Sequence, residues 1–435
     1  MSAVSEPDPP DSVETVGEDD ADVSILPPTV MSGPGSVPPA QRTRTFARAL
    51  WRIAAADVSC DNRVTLLRDG PATFDAMIAM IDGATDTVDY EGYIFRADEV
   101  GQRFQDAFVR ASQRGIRVRI LVDWVGRMGT PGAFFRTMTD AGAEVSIFNR
   151  PGWHRWLGLL PRDHRKVLVT DRAVGVTGGI GLGKEWKRGV LRRKSTPWRD
   201  TAVRIAGPAA IDMQDSFERM WARAHGHRPR DPRLIRRPQS SHLDPDVDPP
   251  ALVGIVEGDP GRTRVSRALQ MQALSAERTI WIASAYFAPS MGEVEALAGA
   301  ARDGVDVRVL VPSRYDHPWL RTLLTPFYRR LLKNGVRIWE WRGEMMHAKT
   351  SVVDGRWVRV GSTDFNILGV AINFELDAVI EDATLGQQAE SMFLDDLDHS
   401  REITWWRGSA LPAETVHAAR GDPRAAVSGP AQADS

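Results

Sequence analysis

One short pattern of polar residues occurs twice in this chain. Residues 164–171 are HRKVLVTD and residues 347–354 are HAKTSVVD, so His, Lys and Asp recur at the same spacing, 183 residues apart. Side chains alternate between the two faces of a β-strand, which places each His and its Lys on one face. Each Asp is expected where its strand ends, because it begins the turn dipeptide DR or DG.

The segments around the two motifs are also alike, which indicates an internal duplication. Three further pairs of segments match in the same order: 86–95 with 278–287, 111–123 with 300–312, and 141–149 with 333–341. Strands alternate with helical stretches in both copies, and one helix carries Val100, Phe104, Phe108 and Ala111 at helical spacing. We therefore predict an α/β fold of two pseudo-two-fold-related halves, each a mixed β-sheet flanked by helices. Because both copies keep their polar residues, one active site is expected at the interface of the halves.

Composition gives the expected boundaries of these halves. Disorder is predicted for the acidic, proline-rich residues 1–45 and for residues 413–435, which are rich in Ala, Gly and Pro. Residues 228–250, crowded with Pro and charged side chains, are predicted to be a linker. The first half is then expected at 46–227 and the second at 251–412.

Charge, cysteine content and hydropathy narrow the class of protein. Residues 1–22 contain eight acids and no base, and removing them from the formal net charge of −2 leaves +6 for the rest of the chain. A mildly basic body suits an anionic partner, but +6 with no dominant basic stripe argues against nucleic acid. Cys60 is the only cysteine, so no internal disulfide is possible and a cytoplasmic setting is expected. The sequence has no run of about 18 apolar residues, so no transmembrane helix is predicted. If the protein works on a membrane, it is expected to reach that membrane from the aqueous side.

A metal site is a poor explanation for the repeated motif. The chain has no HExxH pattern and no cluster of Cys and His, and a lysine two residues from each His is an unfavourable neighbour for a cation. A polar strand edge beside a hairpin would explain one copy but not two in a duplicated framework. Each copy is followed by a return strand that ends in small residues, Gly178-Gly179 or Gly361-Ser362, which let a backbone approach a ligand closely.

With these features, the chain resembles the phospholipase D superfamily, whose motif is HxKxxxxD followed by Gly-Gly or Gly-Ser. Within it, the chain is most similar to bacterial cardiolipin synthases, from about residue 58 to residue 407. The similarity is carried by YIFRADEVGQRF, DHRKVLVTDRAVGVTGGIGLGKEW, PWRDTAVRIAGPA, and HAKTSVVDGRWVRVGSTDFN with the later NFELDAVI. The family usually has Asn two residues beyond the small pair. Here those positions are Gly181 and Asp364, with Asn366 close by as a replacement.

The resemblance implies phosphodiester chemistry through a phosphohistidine, with no metal and no other cofactor. It implies that His164 is the nucleophile and His347 the general acid and base, while Lys166 and Lys349 supply positive charge to the phosphate oxygens.

The resemblance also implies a set of supporting residues around the two imidazoles. Asp200 and Glu375 begin matching return strands and would hold the imidazoles, as would Asp171 and Asp354. A surface salt bridge is the alternative for Asp200 or Glu375 alone. The remaining supporting residues are Gly179, Ser362 and Asn366.

Three segments beside the motifs are candidates for contact with lipid. The basic run 184–194 would attract anionic headgroups or form an ordinary solvated face. The segment WHRWLGLL at 153–160 suits an interfacial anchor or core packing. The basic amphipathic segment 317–333 is interpreted mostly as packing, because Pro326 would interrupt a single helix.

The leading hypothesis is a phosphatidyltransferase, peripherally associated with the cell membrane, that joins two phosphatidylglycerols into cardiolipin and releases glycerol. A hydrolase of the phospholipase D type, with water as the acceptor, would use the same residues. A nuclease and an inactive lipid-binding scaffold are less favoured, because the basic charge is modest and both motifs are complete. The expected partners are a phospholipid and a membrane surface but no nucleic acid. The oligomeric state stays open.

Overall fold

The computed structural model describes residues 48–50, 52–150, 161–187, 197–227, 251–315, 324–406 and 409–412. The predicted tails and linker lie outside these residues, as does the segment 153–160. Of the two basic segments, only residues 184–187 and 324–333 are described. The domain boundaries therefore stay predictions.

The first half alternates strands and helices in the predicted order. Its elements are β1 (Val58–Arg68), α1 (Asp69–Gly83), β2 (Thr87–Gly92), α2 (Glu99–Gln113), β3 (Arg117–Asp123), α3 (Gly132–Asp140), β4 (Glu144–Phe148), β5 (Lys166–Thr170), β6 (Val174–Gly178), β7 (Thr201–Ala206) and α4 (Ala209–Ala224). A 3-10 turn at Lys184–Trp186 lies between β6 and β7.

The second half repeats this order and adds two strands. Its elements are β8 (Ala251–Gly258), α5 (Arg264–Ser275), β9 (Thr279–Ser284), α6 (Met291–Arg302), β10 (Asp306–Pro312), α7 (Tyr328–Lys333), β11 (Arg337–Trp341), β12 (Lys349–Val353), β13 (Trp357–Gly361), α8 (Ile367–Ile372), β14 (Glu375–Glu381), α9 (Ala383–Asp398), β15 (Ser400–Trp406) and β16 (Ser409–Pro412). Pro326 lies in a 3-10 turn before α7, so the helix begins after the proline.

The strand order confirms two halves related by a pseudo-two-fold axis. It runs β16-β15-β11-β10-β9-β12-β13-β14-β8-β1-β7-β6-β5-β2-β3-β4, so the order on one side of the β8–β1 pair mirrors the order on the other. Three strands of each half are parallel, and the motif strands β5 and β12 run antiparallel to β2 and β9. Each half is therefore a mixed sheet, as predicted. The two sheets also join edge to edge, because β1 pairs with β8.

Helix α2, which follows β2, is capped by a side chain at its start and buried along its apolar face. Helix α2 starts at Asp98, whose carboxylate accepts hydrogen bonds from the N–H groups of Val100 and Gly101. The predicted apolar face of this helix is fully buried, and Phe104 packs edge to face on Phe74 with ring centroids 5.7 Å apart. Each such phenylalanine stabilises the fold by about 1.5–3 kcal/mol through burial.

Candidate active site

Each motif brings its His and Lys together at the start of a strand. His164 and His347 lie two residues before Lys166 and Lys349, which are the first residues of β5 and β12. Each lysine ammonium donates a hydrogen bond to the carbonyl oxygen of its own histidine, with Nζ to oxygen distances of 2.6 Å for Lys166 and 2.7 Å for Lys349. The ammonium groups are therefore held beside the imidazoles.

Two tyrosines that follow the matching strands β2 and β9 complete these clusters. The Nζ of Lys166 lies 5.8 Å from the ring centroid of Tyr93, and the Nζ of Lys349 lies 5.9 Å from that of Tyr286. An ammonium over an aromatic ring is attracted by the ring's quadrupole. The sequence had shown a tyrosine near the end of each strand, but not its position under the lysine.

Each imidazole is oriented by a carboxylate from the other half of the molecule. Nδ1 of His164 lies 3.0 and 3.1 Å from the two carboxylate oxygens of Glu375. Nδ1 of His347 lies 2.8 Å from Oδ2 of Asp200. When Nδ1–H donates to the carboxylate, Nε2 of each ring remains for chemistry. Asp200 and Glu375 are both buried, so the alternative prediction of a surface salt bridge is wrong.

Backbone contacts hold this crossed arrangement together. The N–H of His164 donates to the carbonyl oxygen of Phe374 at 2.9 Å, and the N–H of His347 donates to that of Arg199 at 2.7 Å. Phe374 and Arg199 immediately precede Glu375 and Asp200. The strand that supplies each orienting carboxylate is thus fastened to the histidine that it orients.

The two carboxylates are supported by different donors. Oε2 of Glu375 accepts from the hydroxyl of Ser362, which in turn accepts from the N–H of Leu376 at 3.0 Å. Oδ2 of Asp200 accepts instead from the indole N–H of Trp186 at 2.8 Å, and Oδ1 accepts from the N–H of Thr201 at 2.8 Å. The groups that support the two carboxylates therefore differ between the halves, although the histidines and carboxylates themselves correspond.

Two glycines make room for the Asp200 support. A Cβ at Gly179 would lie 2.2 Å from Oδ1 of Asp200, and a Cβ at Gly181 would lie 3.0 Å from both Ile94 and the Trp186 ring. The buried indole of Trp186 therefore occupies the space beside Gly181, the position at which the resemblance predicts Asn. Sequence analysis missed Trp186, which lies in the segment 184–194 that was considered a solvated or headgroup-binding face.

Aromatic side chains enclose His347 more closely than His164. The ring centroids of Trp186 and Trp198 lie 5.5 and 5.4 Å from the His347 ring, and that of Tyr286 lies 6.4 Å away. The exposed fraction of the side chain is 7% for His347 and 17% for His164. Water therefore has less access to His347.

The structure corrects one contact expected from the resemblance, because Asp171 and Asp354 do not bind the imidazoles. They follow the far ends of β5 and β12. The Asp171 carboxylate accepts from three backbone N–H groups at residues 85–87 at 2.8–2.9 Å, and Asp354 does the same for residues 277–279. Both have a positive φ, 53° and 54°, as in a tight turn. The two aspartates fasten the starts of β2 and β9.

Asp364 stands where the resemblance predicts an Asn, and its carboxylate binds backbone N–H groups and faces Lys349. Its Oδ1 accepts from the N–H groups of Ala285 and Tyr286 at 2.9 and 3.0 Å, and its Oδ2 lies 3.5 Å from Nζ of Lys349. The carboxylate thus fixes the end of β9 and adds a negative charge beside Lys349. Asn366 lies nearby, where its N–H donates to the Asp364 carbonyl oxygen at 2.7 Å.

Burial and nearby charges set the protonation of the His347 side of the site. Burial, assisted by the charge of Lys349, holds the pKa of His347 well below its ordinary value. Burial also raises the pKa of Asp200 to about 6, although the charge of Lys349 opposes that change. His347 is therefore a neutral imidazole near pH 7.

Two groups beside His164, Glu375 and Lys166, also have shifted pKa values. Burial alone would raise the pKa of Glu375, but the charge of His164 and its hydrogen bond bring that pKa below its usual value. Burial lowers the pKa of Lys166 to about 8, against the attraction of Glu375. Glu375 is therefore an ionised partner for His164.

Within the described ranges, no group of three or more His, Cys, Asp or Glu side chains is arranged to hold a metal ion. Two ammonium groups, those of Lys166 and Lys349, stand beside the imidazoles. Positive charge fixed in this way can stabilise a phosphoryl group.

Comparison with known proteins agrees with this arrangement. A family model described as "Cardiolipin synthase, PLD-like domain" matches residues 77–221 and 270–397, more than half of the chain and both motifs. The chain belongs to the cardiolipin synthase family of phospholipase D-like proteins. This confirms the family suggested by the sequence motifs.

Relatives in the cardiolipin synthase family are similar along most of their length. Cardiolipin synthase A of Pseudomonas putida (strain GB-1) is 32% identical over 372 residues, which are 84% of this chain and 75% of that protein. The major cardiolipin synthase of Bacillus subtilis (strain 168) is 31% identical over 351 residues, 79% of this chain and 71% of that protein. The shared length includes both halves.

A solved structure outside the close relatives shares the fold. A phosphatidylserine synthase from Haemophilus influenzae superposes with a TM-score of 0.63 at 15% identity, covering 82% of this chain and 91% of that one. The match supports the two-half phospholipase D fold.

Proposed function

We propose that this protein transfers a phosphatidyl group from one phosphatidylglycerol to another, forming cardiolipin and releasing glycerol. One observation carries the proposal: two imidazoles share a site with two ammonium groups, and each imidazole is oriented across the interface by Asp200 or Glu375. Membership in the cardiolipin synthase family supports the choice of lipid.

The chemistry proceeds in two steps. Nε2 of one imidazole attacks phosphorus while the other imidazole gives its proton to the departing glycerol oxygen, which leaves a phosphohistidine. The hydroxyl of a second phosphatidylglycerol then gives its proton to that second imidazole and displaces the first. Lys166 and Lys349 neutralise the non-bridging phosphate oxygens throughout, so a metal ion has no step to perform.

Exclusion of water favours transfer to an alcohol over hydrolysis. The aromatic side chains of Trp186, Trp198 and Tyr286 surround the His347 ring. An apolar wall on the His347 side of the site disfavours water as the competing acceptor. The acceptor is therefore a lipid hydroxyl delivered from the membrane.

In this proposal, the edge of the sheet that carries the site faces the membrane. Met128, Met291 and Phe327, exposed by 53%, 60% and 37%, lie at or just before the starts of helices that return from the carboxyl ends of parallel strands. Tyr93 and Tyr286 follow the carboxyl ends of β2 and β9 at this same edge. Within the described part of the chain, no helix has the length and apolar character needed to cross a bilayer. Together with the exposed apolar residues at this edge, the cardiolipin synthase relatives support our proposal of a cytoplasmic protein attached peripherally to the cell membrane.

Product analysis tests the reaction. Purified protein is incubated with phosphatidylglycerol vesicles, and cardiolipin and free glycerol are quantified. Equal amounts of the two products are expected, while a variant with both His164→Ala and His347→Ala should form neither. Phosphatidic acid as the main product would identify a hydrolase instead, and no lipid product at all would refute phosphatidyl transfer.

Vesicle sedimentation tests the membrane-facing edge. Met128→Asp combined with Phe327→Asp should weaken binding to phosphatidylglycerol vesicles at least several-fold, because a charge replaces apolar contact. Leu274→Asp is the matched control: Leu274 is 76% exposed but lies near the end of α5, which leads to the amino end of β9. Equal binding by the two proteins would contradict this placement.

A further inference from the structure

We propose that Glu91 and Asp163, two buried acids of the first half, share one proton and together act as positioning residues for His164. Neither acid has a part in the chemistry proposed above. The sharing of the proton does not depend on that chemistry, whereas its effect on the rate rests on the proposed phosphatidyl transfer.

The two carboxyl groups meet in the interior of the first half. Glu91 lies on β2, where it pairs with Val167 of β5, and Asp163 lies just before β5. Both residues have an exposed fraction of 0%. Their carboxyl groups are in hydrogen-bonding contact with each other. A carboxylate only accepts hydrogen bonds, so this contact requires a proton on one of the two groups.

The oxygen atoms of the pair have almost no other donors. Oδ1 of Asp163 accepts a hydrogen bond from the N–H of Arg165 at 3.3 Å. Apart from their contact with each other, Oδ2 of Asp163 and both carboxyl oxygens of Glu91 have no donor among the described residues. Buried polar atoms nearly always have a hydrogen-bond partner. A proton on Glu91 supplies it, because the acid O–H then donates to Oδ2 of Asp163.

The nearby charges do not favour two ionised carboxylates. Arg165 attracts both acids, but its Nη2 donates to Glu257 at 3.2 Å. Asp123 adds further negative charge. Burial, assisted by the charge of Asp163, raises the pKa of Glu91 well above its ordinary value, so Glu91 keeps the proton. The titratable and charged side chains that act on or adjoin the pair are Tyr90 on β2, Asp123 at the end of β3, Arg162 and Arg165 before β5, Arg219 on α4 and Glu257 on β8.

The pair lies where the two halves hold His164 beside its carboxylate. The N–H of Phe374 donates to the carbonyl oxygen of Arg162 at 2.8 Å, and the N–H of His164 donates to that of Phe374 at 2.9 Å. Asp163 is the middle residue of this bridge between the halves. Its side chain, held by Glu91, therefore fixes the backbone that carries His164.

The second half has no such acids at the corresponding positions. By strand register Ala283 corresponds to Glu91, and Met346 precedes His347 as Asp163 precedes His164. Ala283 and Met346 are both buried. Apolar side chains therefore satisfy packing at this place in the fold, and the acids of the first half add a hydrogen bond and a proton that titrates.

Difference infrared spectroscopy tests the shared proton directly. At pH 7 the spectrum of the wild type minus that of Glu91→Gln should contain the carbonyl stretch of a protonated carboxyl group, which shifts in D₂O. Glu144→Gln is the matched control, because Glu144 is 50% exposed and pairs with Arg117, so it should remove only a carboxylate band. Loss of a carboxylate band alone in Glu91→Gln would show that both acids are ionised and would overturn the inference.

The pH dependence of stability gives a second measurement. An acid whose pKa is higher in the folded protein takes up a proton on folding, so stability falls as pH rises from its unfolded-state pKa to its folded-state pKa. Glu91→Gln removes this uptake. The melting temperature of Glu91→Gln relative to the wild type should therefore increase from pH 5 to pH 8, while that of Glu144→Gln should stay at a constant difference. A constant difference for Glu91→Gln as well would contradict the shared proton.

The kinetics of the variants test the positioning of His164. Glu91→Leu fills the space but leaves Asp163 without its donor, so kcat for cardiolipin formation should fall about tenfold or more, as for loss of a hydrogen bond to a buried charge. Glu91→Gln should recover most of this loss, because its amide N–H replaces the acid O–H. Changes in KM should be small. Equal losses of kcat in the two variants would show that the hydrogen bond does not position the histidine.

The outcomes separate this inference from the proposed function. The infrared and unfolding measurements need no substrate, so they decide on the shared proton whether or not the wild type forms cardiolipin. Absence of cardiolipin with a protonated Glu91 would refute the proposed reaction alone. If Glu91→Leu fails to fold, the pH profile of kcat for Glu91→Gln replaces it: this variant should lose less activity than the wild type as pH rises, and parallel profiles would overturn the positioning role.

Discussion

The indole N–H of Trp186 donates to Oδ2 of Asp200 at 2.8 Å, and this oxygen also binds Nδ1 of His347. The corresponding support in the other half is a serine hydroxyl, that of Ser362. Trp186 is fully buried, so its N–H has no water with which to exchange this bond. It is a positioning residue: it acts on His347 through Asp200.

The first prediction tests this relay. Trp186→Phe keeps most of the ring but removes the N–H, and loss of a hydrogen bond to a buried charged group costs about 1.5–3 kcal/mol. We expect kcat for cardiolipin formation to fall about tenfold or more, with KM little changed. Trp198→Phe is the control, since the Trp198 ring also packs on the His347 ring, with the two rings tilted by 32°. Equal losses of kcat in the two variants would show that only packing matters.

The second prediction concerns the space at Gly179. A Cβ at this position would lie 2.2 Å from Oδ1 of Asp200, so Gly179→Ala must displace that carboxylate. We expect loss of most activity, measured as kcat, by a protein that still folds. Gly299→Ala is the control, because no atom lies within 4 Å of the added Cβ and alanine favours a helix. Full activity of Gly179→Ala would contradict the tight fit.

The third prediction separates structure from chemistry at the motif aspartates. Asp354→Ala leaves three backbone N–H groups at the start of β9 without their acceptor. We expect the free energy of unfolding to fall by about 1–2 kcal/mol, at the low end because the site is solvent-exposed. The kcat of the remaining folded protein should be unchanged. Asp354→Asn tolerates the positive φ and should lose less stability.

The same contacts give a sign for the effect of pH at Asp171. Burial acts to raise the pKa of Asp171, but its backbone N–H donors lower it below the ordinary value. The stability that this carboxylate contributes is present above its unfolded-state pKa and is lost as pH falls through the folded-state value. The loss of stability caused by Asp171→Ala should therefore become smaller as the pH is lowered. Thermal unfolding of the variant and the wild type at several pH values measures this difference.

The duplication made much of the fold predictable. The repeated spacing predicted that His164 lies near Lys166, although the histidine stands two residues before β5 and not in the strand. The periodicity of α2 predicted its buried face, which Phe104 and Phe108 confirm. The joining of the sheets through β1 and β8 was not predictable, because no local pattern specifies which edge strands meet.

The site was only partly predictable, and the reason lies in long-range geometry. Asp200 and Glu375 were expected near imidazoles, but only tertiary structure shows that each reaches the histidine of the other half. Asp171 was assigned to an imidazole although its turn dipeptide already indicated a role at the strand end. Trp186 was missed because a tryptophan in a basic run has no periodicity to reveal that it is buried.

The fourth prediction concerns metal ions. In the proposed reaction the ammonium groups of Lys166 and Lys349, each held by the carbonyl oxygen of its motif histidine, neutralise the phosphate in place of a metal ion. Excess EDTA should leave the rate of cardiolipin formation unchanged. A loss of activity that returns on adding Mg²⁺ or Zn²⁺ would mean that the phosphate is neutralised differently.

The fifth prediction concerns the alkaline limit of activity. Burial lowers the pKa of Lys166 to about 8, so this ammonium loses its charge as pH rises through that value, and its stabilisation of the phosphate oxygens is lost with it. Arginine stays protonated throughout this range. The ratio of kcat/KM for Lys166→Arg to that of the wild type should therefore be constant below pH 8 and rise above it, by up to tenfold per pH unit.

Taking the ratio of two proteins removes the titration of the histidines, which both contain. Lys349→Arg is the matched control: it keeps Lys166, so its own activity should still fall above pH 8. The bidentate guanidinium will alter the absolute rate, but a geometric penalty of that kind is the same at every pH. A ratio for Lys166→Arg that stays flat up to pH 9.5 would show that Lys166 keeps its proton there, and that burial does not set the alkaline limit.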